Sequence, residues 1–197
     1  MRLIFVRHGC TSENDNKIIM GHKGGSLNAL GKKQALNVAL FLREEKIDVA
    51  DVSVSNRTKE TAEIILGFHP QTKVVYTKEL IDRGYGKYEM KPVSELRKAA
   101  EESRVRFDNF DFNGGETYSQ MSKRVVEYFN QIIKKNNNKT ILFVTHSDPI
   151  VTILFKLLKR KKEGDFSERL KLLPKNGFIS IFENGKCILL NHDKHLK

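Results

Sequence analysis

The sequence predicts an α/β fold: a three-layer α/β/α sandwich around a mostly parallel sheet with an antiparallel edge strand. From residue 3 to residue 77, short β-branched and aromatic runs alternate with stretches of helical apolar spacing. That order of strand, helix, strand, helix, strand is the pattern that builds a parallel sheet. Near the end of the sequence two apolar runs flank Glu183-Asn184-Gly185-Lys186. Asn-Gly between two such runs is the strongest short hairpin signal, and it makes the sheet mixed.

Leu3-Ile4-Phe5-Val6 is an unbroken apolar run, as expected of a buried strand, and it passes directly into Arg7-His8-Gly9. Cys10 to Ser26, with Gly21, Gly24 and Gly25 among polar residues, reads as a loop over that strand end. Asn28 can cap a helix through Glu45, whose apolar face is Ala35, Leu36, Val38, Ala39, Leu40 and Leu42. Val49 to Val54 is the second strand. Ser55 or Asn56 caps a helix from Arg57 to about Leu66, and Lys73 to Thr77 is the third strand.

Residues 81–116 break this rhythm. Gly84, Gly86, Pro92, Gly114 and Gly115 leave room for one helix near Ser94 to Glu102, and such an excursion in an α/β chain predicts a cover that sets specificity. Thr117-Tyr118-Ser119-Gln120 is a capping box, followed by a core stripe of Met121, Val125, Phe129 and Ile132 or Ile133. Thr140 to Val144 is a fourth buried strand ending at Thr145-His146. Asp148-Pro149 then predicts a capping acid and a first-turn proline for a helix to about Lys159. Phe178 to Phe182 and Cys187 to Leu190 form the hairpin.

A chain of 197 residues is of ordinary size for one domain, and a single domain is expected over 1–197. There is no signal-peptide pattern and no apolar stretch of membrane-spanning length, so a soluble, cytoplasmic protein is expected, with no membrane partner. Cys10 and Cys187 form neither a metal nor a redox spacing. The net charge of +11 fits a nucleic-acid binder, a membrane-surface protein or an enzyme of anionic substrates. Acidic residues interleave the basic ones, and no nucleic-acid motif accompanies them. The one basic run, Lys159-Arg160-Lys161-Lys162, reads as a solvated helix end. A general attraction for small phosphorylated molecules remains compatible with the charge; no nucleic-acid partner and a monomer or homodimer are expected.

The chemistry-bearing residues share one placement. The first strand ends at Arg7 and His8, the second just before Arg57, the third just before Asp82 and the fourth at His146. If these strands are parallel neighbours, all five side chains gather along one sheet edge, where open α/β sheets bind ligands. Taken singly, a strand-end histidine is commonly structural and a helix arginine a surface cation; the shared position overrides that. His22, His69, His192 and His195 have no such placement. Two arginines offer planar forks for phosphate oxygens, and the helix after His146 adds backbone donors. With no cysteine or carboxylate cluster, the set points to a phosphoryl group rather than a metal.

These residues also resemble a known family. Arg7-His8-Gly9 with Thr11 and Asn14 is similar to the Arg-His-Gly signature of the histidine phosphatase superfamily, which includes the cofactor-dependent phosphoglycerate mutases. Leu27 to Gly31 with Gln34-Ala35 resembles the segment that comes after it, and Ser53 through Arg57 to Thr61-Ala62 the second phosphate-arginine motif. Leu80-Ile81-Asp82 with Gly86 and Glu89 resembles the proton-donor segment, Gly115-Glu116 the next landmark, Val144-Thr145-His146 the second histidine, and Asn191 to Leu196 the ending of many phosphatase members. The order is the family's along nearly the whole chain.

The resemblance implies a phosphoglycerate mutase-like fold and a mechanism. His8 would attack phosphorus through a neutral ring nitrogen, its other nitrogen held protonated by a backbone carbonyl, and water would then remove the phosphoryl group. Arg7, Arg57 and a protonated His146 would stabilise the transferring oxygens, with no metal or cofactor. Asp82 would protonate the leaving oxygen and later activate water. Asn14 and the backbone near Thr11 and Ser147 would add phosphate contacts. There are departures. The donor is more usually glutamate, so Glu89 and Asp148 are the alternatives to Asp82. Cys10 replaces an acid often found after the signature, and reads as a packed small residue rather than a reactive thiol. Gly24 stands where aspartate is common and Met90 where glycine is.

Mutases of the family are generally longer, so the expected activity is a phosphatase acting on a small phosphomonoester. The alternatives are mutase-type phosphoryl transfer and a non-catalytic phospho-ligand binder. Lys87, Lys91, Arg97, Lys98 and Arg104 could meet a second anionic group, but Glu89, Glu95, Glu101 and Glu102 beside them favour a mixed-charge surface.

Overall fold

A computed structural model describes residues 1–106, 109–160 and 166–197. Six strands form one sheet: β1 (Arg2–Arg7), β2 (Val49–Ser53), β3 (Lys73–Thr77), β4 (Thr140–Thr145), β5 (Ile179–Glu183) and β6 (Lys186–His192). Their order is β3-β2-β4-β1-β5-β6. β3, β2, β4 and β1 run parallel, and β5 is antiparallel to β1 and to β6. At the hairpin tip Asn184 and Gly185 both have positive φ, 49° and 78°, as a two-residue primed turn requires.

Strand alternation divides the core. Ile4 and Val6 of β1, with Ala50, Val52, Leu142 and Val144, face α2 (Ala29–Leu42) and α3 (Asn56–Leu66) through Val38, Ala39, Leu42, Ala62 and Ile65. Leu3 and Phe5, with Ile141 and Phe143, face α5 (Tyr118–Lys135) and α6 (Ser147–Leu157) through Met121, Val125, Phe129 and Ile153. Phe5 and Phe143 stack at 5.1 Å between ring centroids. Every layer of the expected sandwich is present, because a strand buried on both faces needs a helix layer on each side.

Register fixes where the strands stop. Arg7 pairs with Thr145, and Val52 with Val144, so β1, β2 and β4 end at one level. The chain therefore leaves these three strands side by side, at His8, at Ser53 to Arg57, and at His146. The exit of β1 presses against the first turn of α2. A Cβ on Gly9 would overlap the Gly31 carbonyl, and one on Gly31 would overlap Cys10. Two glycines are therefore required at this crossing.

Several boundaries differ from expectation for local reasons. The stretch after Gly9 contains a one-turn helix, α1 (Ser12–Asp15), because Thr11 and Asn14 form a capping box. Asn28 caps α2 as expected, its Oδ1 accepting from the Gly31 amide at 2.8 Å, but the helix stops at Leu42. Asp148 does not cap α6. His146 is the extended N-cap residue and β4 passes straight into the helix, leaving Asp148 and Pro149 inside the first turn. α6 ends at Leu157, so Lys159 and Arg160 lie beyond it; Lys161 and Lys162 of the basic run lie outside the described residues.

Within 81–116 the structure has a short 3-10 turn (Gly86–Tyr88) and α4 (Val93–Glu102). This segment is stitched to the loop after β1: the Ile19 amide donates to Lys91 O (2.9 Å), Met90 to Ile19 O (2.6 Å) and Val93 to Lys17 O (2.9 Å). Ile19, Tyr88, Leu96 and Phe112 form a small core of their own beneath it. A further short helix, α7 (Phe166–Leu170), was not expected from the sequence. Among the described residues no helix is long and apolar enough to cross a membrane.

Candidate active site

His8 sits immediately past β1, its amide donating to Thr145 O at 3.1 Å, and its side chain is buried. Nδ1 lies 2.8 Å from the Gly9 carbonyl. A carbonyl only accepts, so Nδ1 carries the proton and Nε2 keeps its lone pair. Burial, then Arg57, then Arg7, hold the ring well below the ordinary histidine range, so His8 is neutral at neutral pH. A nitrogen lone pair beside two arginines is thereby fixed by one backbone contact.

The cations are anchored through carbonyls. Arg57, fully buried at the first turn of α3, donates to Gly21 O (2.9 Å), Gly24 O (3.2 Å) and Lys23 O (3.3 Å). Arg7 donates to Pro174 O at 2.8 Å. Burial lowers the pKa of both, with Asp82 pulling each back, and guanidinium stays charged. His146 shares a 2.9 Å hydrogen bond between Nε2 and Ser53 Oγ, and its ring lies 5.2 Å from that of His8. Burial, then Arg57, His8 and Arg7, push His146 well below the ordinary range. A standing positive charge on His146 is thereby disfavoured, because cations already surround a ring removed from water.

Three carboxylates were candidates for proton transfer. Asp82 Oδ2 is 3.9 Å from His146 Nδ1, and Oδ1 accepts the Arg83 amide at 3.1 Å. Burial raises its pKa, against the pull of Arg57 and Arg7. Asp148 accepts from Tyr85 Oη at 3.3 Å, and burial, then Asp82, push it up to about 6. Glu89 Oε1 accepts from the amides of His22 (3.0 Å) and Tyr85 (3.2 Å).

A cavity of about 660 Å³ opens over these groups. Arg7, His8, Asn14, Asp82, Ser147 and Asp148 line it, while Arg57 and His146 are fully buried. Thr11 is not among the lining residues. Its hydroxyl caps Asn14 and its amide donates to Asn14 Oδ1 at 3.2 Å, so the residue serves α1. With Oδ1 so occupied, the Asn14 amide NH2 is the part left for a ligand. Ser147 opens α6, which no side chain caps. The Cys10 thiol is pushed up to about 11 by burial and then by its hydrogen bond to Asp15, which makes it a packed, unreactive group.

Other residues at the site carried no sequence signal, or only a faint one. Asn176, in the loop before β5, donates to His8 O (3.0 Å) and Asn14 Oδ1 (3.1 Å). Arg124 of α5 reaches Glu79 O (2.8 Å), Ile81 O (3.0 Å) and Asp82 O (3.3 Å), and pairs with Glu116 at 2.8 Å. His22, unplaced by the sequence, has Nε2 3.0 Å from Asp82 O. A Thr-x-x-Asn pattern at 11–14 was the available clue to α1; an isolated asparagine such as Asn176 offers none.

The architecture is that of the histidine phosphatase-type α/β sandwich. YhfR of Bacillus stearothermophilus superposes with a TM-score of 0.86 at 20% identity, covering 100% of this chain and 99% of that one. A phosphoserine phosphatase of Entamoeba histolytica, solved with 3-phosphoglyceric acid, gives 0.81 at 24%, with the same coverage. At those identities the likeness is one of fold. In sequence, the chain is 36% identical over 204 aligned positions to a mouse fructose-2,6-bisphosphatase, covering 99% of this chain and 74% of that protein. It is 30% identical over 161 positions to a broad-specificity phosphatase of Saccharomyces cerevisiae, covering 78% and 69%. The match to a bovine fructose-2,6-bisphosphatase is 37% over 131 positions, 64% of this chain and about half (48%) of that protein's length. Branch 1 of the histidine phosphatase superfamily matches residues 3–187, and the chain belongs to that superfamily.

Proposed function

We propose that the protein is a metal-independent phosphatase that hydrolyses a small phosphomonoester through a phosphohistidine on His8, within a single domain whose segment 81–116 covers the site. The observation that carries this reading is the hydrogen bond from His8 Nδ1 to Gly9 O, which leaves Nε2 nucleophilic beside Arg7, Arg57 and His146. The Nε2 lone pair attacks phosphorus, the P–O bond to the leaving alcohol breaks, and Asp82 gives that oxygen its proton. Water then attacks the phosphoryl group, passing its proton to the Asp82 carboxylate, and the P–N bond returns its electron pair to Nε2. Arg7 and Arg57 neutralise the equatorial oxygens throughout, which is where most phosphoryl-transfer catalysis resides. A phosphoryl dianion brings the opposite charge that His146 otherwise lacks, so this ring takes up a proton as the substrate binds. Asn14 and the backbone at Ser147 add donors, and Thr11 acts indirectly by holding Asn14.

Asp82 fits the acid role because burial raises its pKa, as a proton donor requires, and because Oδ2 lies beside His146. Phosphate release from a panel of phosphomonoesters without added metal, run beside His8→Ala, tests the reading. Release by the wild type and its loss in His8→Ala, with an acid-labile, base-stable phosphoenzyme trapped only in the wild type, is the expected result. Full activity in His8→Ala refutes the mechanism, and interconversion of 2- and 3-phosphoglycerate faster than their hydrolysis replaces phosphatase by mutase. Phosphate-ester binding with no turnover by the wild type would make the protein a phospho-ligand binder.

A further inference from the structure

Beyond the phosphoryl end, the cavity changes character. α4 turns one face to it: Val93, Leu96, Arg97, Ala100 and Glu101 all line it, spaced as one side of a helix. Leu96 and Ala100 are nearly buried, and Ile19, Met20 and Leu173 continue the wall from two other segments. Leu96 and Ile19 belong to the small core under α4, with Val93 packed against it, and the same apolar stripe also forms the wall of the ligand space.

From this wall we infer that the ligand of the site is a phosphomonoester with an extended apolar body, alkyl or aryl, and no second anionic group. The inference rests on the phosphatase reading above and deepens it. A cavity of about 660 Å³ holds far more than a phosphoryl group. A polyhydroxylated body lying on Val93, Leu96 and Ala100 would leave hydroxyls facing carbon, and unpaired buried polar groups weigh against binding. Among the described residues, the cations in the lining do not reverse this. Arg97 and Glu101 stand one helical turn apart with opposite charges. Arg83 donates to Glu116 O (2.8 Å) and Phe110 O (2.9 Å) and lies 4.3 Å from the Phe112 ring, while Arg169 lies 3.6 Å from the Tyr118 ring. Both guanidinium groups are thus engaged with the protein's own carbonyls or rings. Lys91 and Lys98, two of the cations that could have met a second anion, pair with Glu95 and Glu102.

Alkyl phosphates test the inference, because lengthening the chain changes apolar area while leaving the acidity of the leaving alcohol almost constant. Each methylene fully buried against the wall is worth at most ~4-fold in kcat/KM. From ethyl to butyl to hexyl phosphate, kcat/KM should rise at least ~10-fold in all, and the bisphosphate of 1,6-hexanediol should be a poorer substrate than hexyl phosphate. Val93→Ala and Leu96→Ala should each lower the hexyl-to-ethyl ratio by roughly threefold or more, with unchanged circular dichroism. Binding of hexylphosphonate and ethylphosphonate, measured by calorimetry, gives the same ratio without turnover and separates the two readings. If no ester is hydrolysed but hexylphosphonate binds the more tightly, the phosphatase reading fails and the apolar site stands. Equal treatment of ethyl and hexyl compounds, or preference for the bisphosphate, overturns the inference even if other esters are hydrolysed.

Discussion

Glu116 is the carboxylate on which the acid-bearing loop depends, and replacing it with glutamine isolates its charge. Its Oε1 accepts from Arg124 Nε at 3.1 Å, and Oε2 from Arg124 Nη2 at 2.8 Å and from the Gly84 amide at 3.1 Å. His22 Nε2 is 3.7 Å away. Burial pushes the carboxyl up, but these donors outweigh it and bring it from the ordinary 4.5 to about 2. By linkage that displacement is worth ~3 kcal/mol of folding stability at most. The side chain is 24% exposed, so solvent screening reduces the expected loss in Glu116→Gln at pH 7 to ~1–2 kcal/mol. The sign comes from a lowered folded pKa: the contribution is full above about 4.5 and is lost as pH falls toward 2. Urea unfolding of both proteins from pH 7 to pH 3 should show the gap shrinking by more than half, since a protonated Glu116 resembles glutamine. A gap that stays constant over this range, or is zero at pH 7, refutes the assignment.

Further outcomes concern the paired acids. On a substrate with a poor leaving group, Asp82→Asn should lose ~10²-fold or more in kcat, while Asp148→Asn should lose less. If only Asp148→Asn is impaired in steady-state assays, the donor is Asp148. Asp148→Asn should also stabilise the fold. Its pKa is raised from 3.8 to about 6, so ionising it opposes folding increasingly as pH rises through that interval. The variant's advantage should be up to ~3 kcal/mol at pH 8 and nearly gone at pH 4, measured by urea melts; an advantage independent of pH would count against a strained carboxyl.

Much of the scaffold was legible because its signals are local. The unbroken run Leu3 to Val6, the Asn28 cap, the Thr117 capping box and the Asn184-Gly185 turn each specify a short element, and each element formed. Strand-end position then brought His8, Arg57 and His146 to one level, since parallel register carries neighbouring strands to a common edge. Less legible were residues whose roles come from distant partners. Asn176 is 168 positions from His8, and Arg124 acts on carbonyls more than forty positions away. Asp148 read as a cap only because the sequence does not reveal that β4 runs into α6 without a turn. The capping role of Thr11 was not read from the sequence: a threonine three residues before Asn14 satisfies a helix end through its hydroxyl.

The cluster around Arg124 bears on the shortened acid. An aspartate has one fewer rotatable bond than the glutamate more usual at this position, so its carboxyl is aimed almost entirely by its backbone. That backbone is held from two directions, since Arg124 and His22 both reach the Asp82 carbonyl, and the Arg83 amide holds the carboxylate itself by donating to Oδ1. Glu116 in turn fixes Arg124, and the Gly84 carbonyl accepts from the Glu116 amide at 2.8 Å. With Asp82 as the donor proposed above, what a longer side chain would gain by flexing this site would obtain by immobilising the loop, the condition under which a proton donor keeps its distance to a leaving oxygen. Loosening Arg124 should therefore impair the step that needs the proton more than the binding of the phosphoryl group, because Arg7 and Arg57 are anchored to other carbonyls.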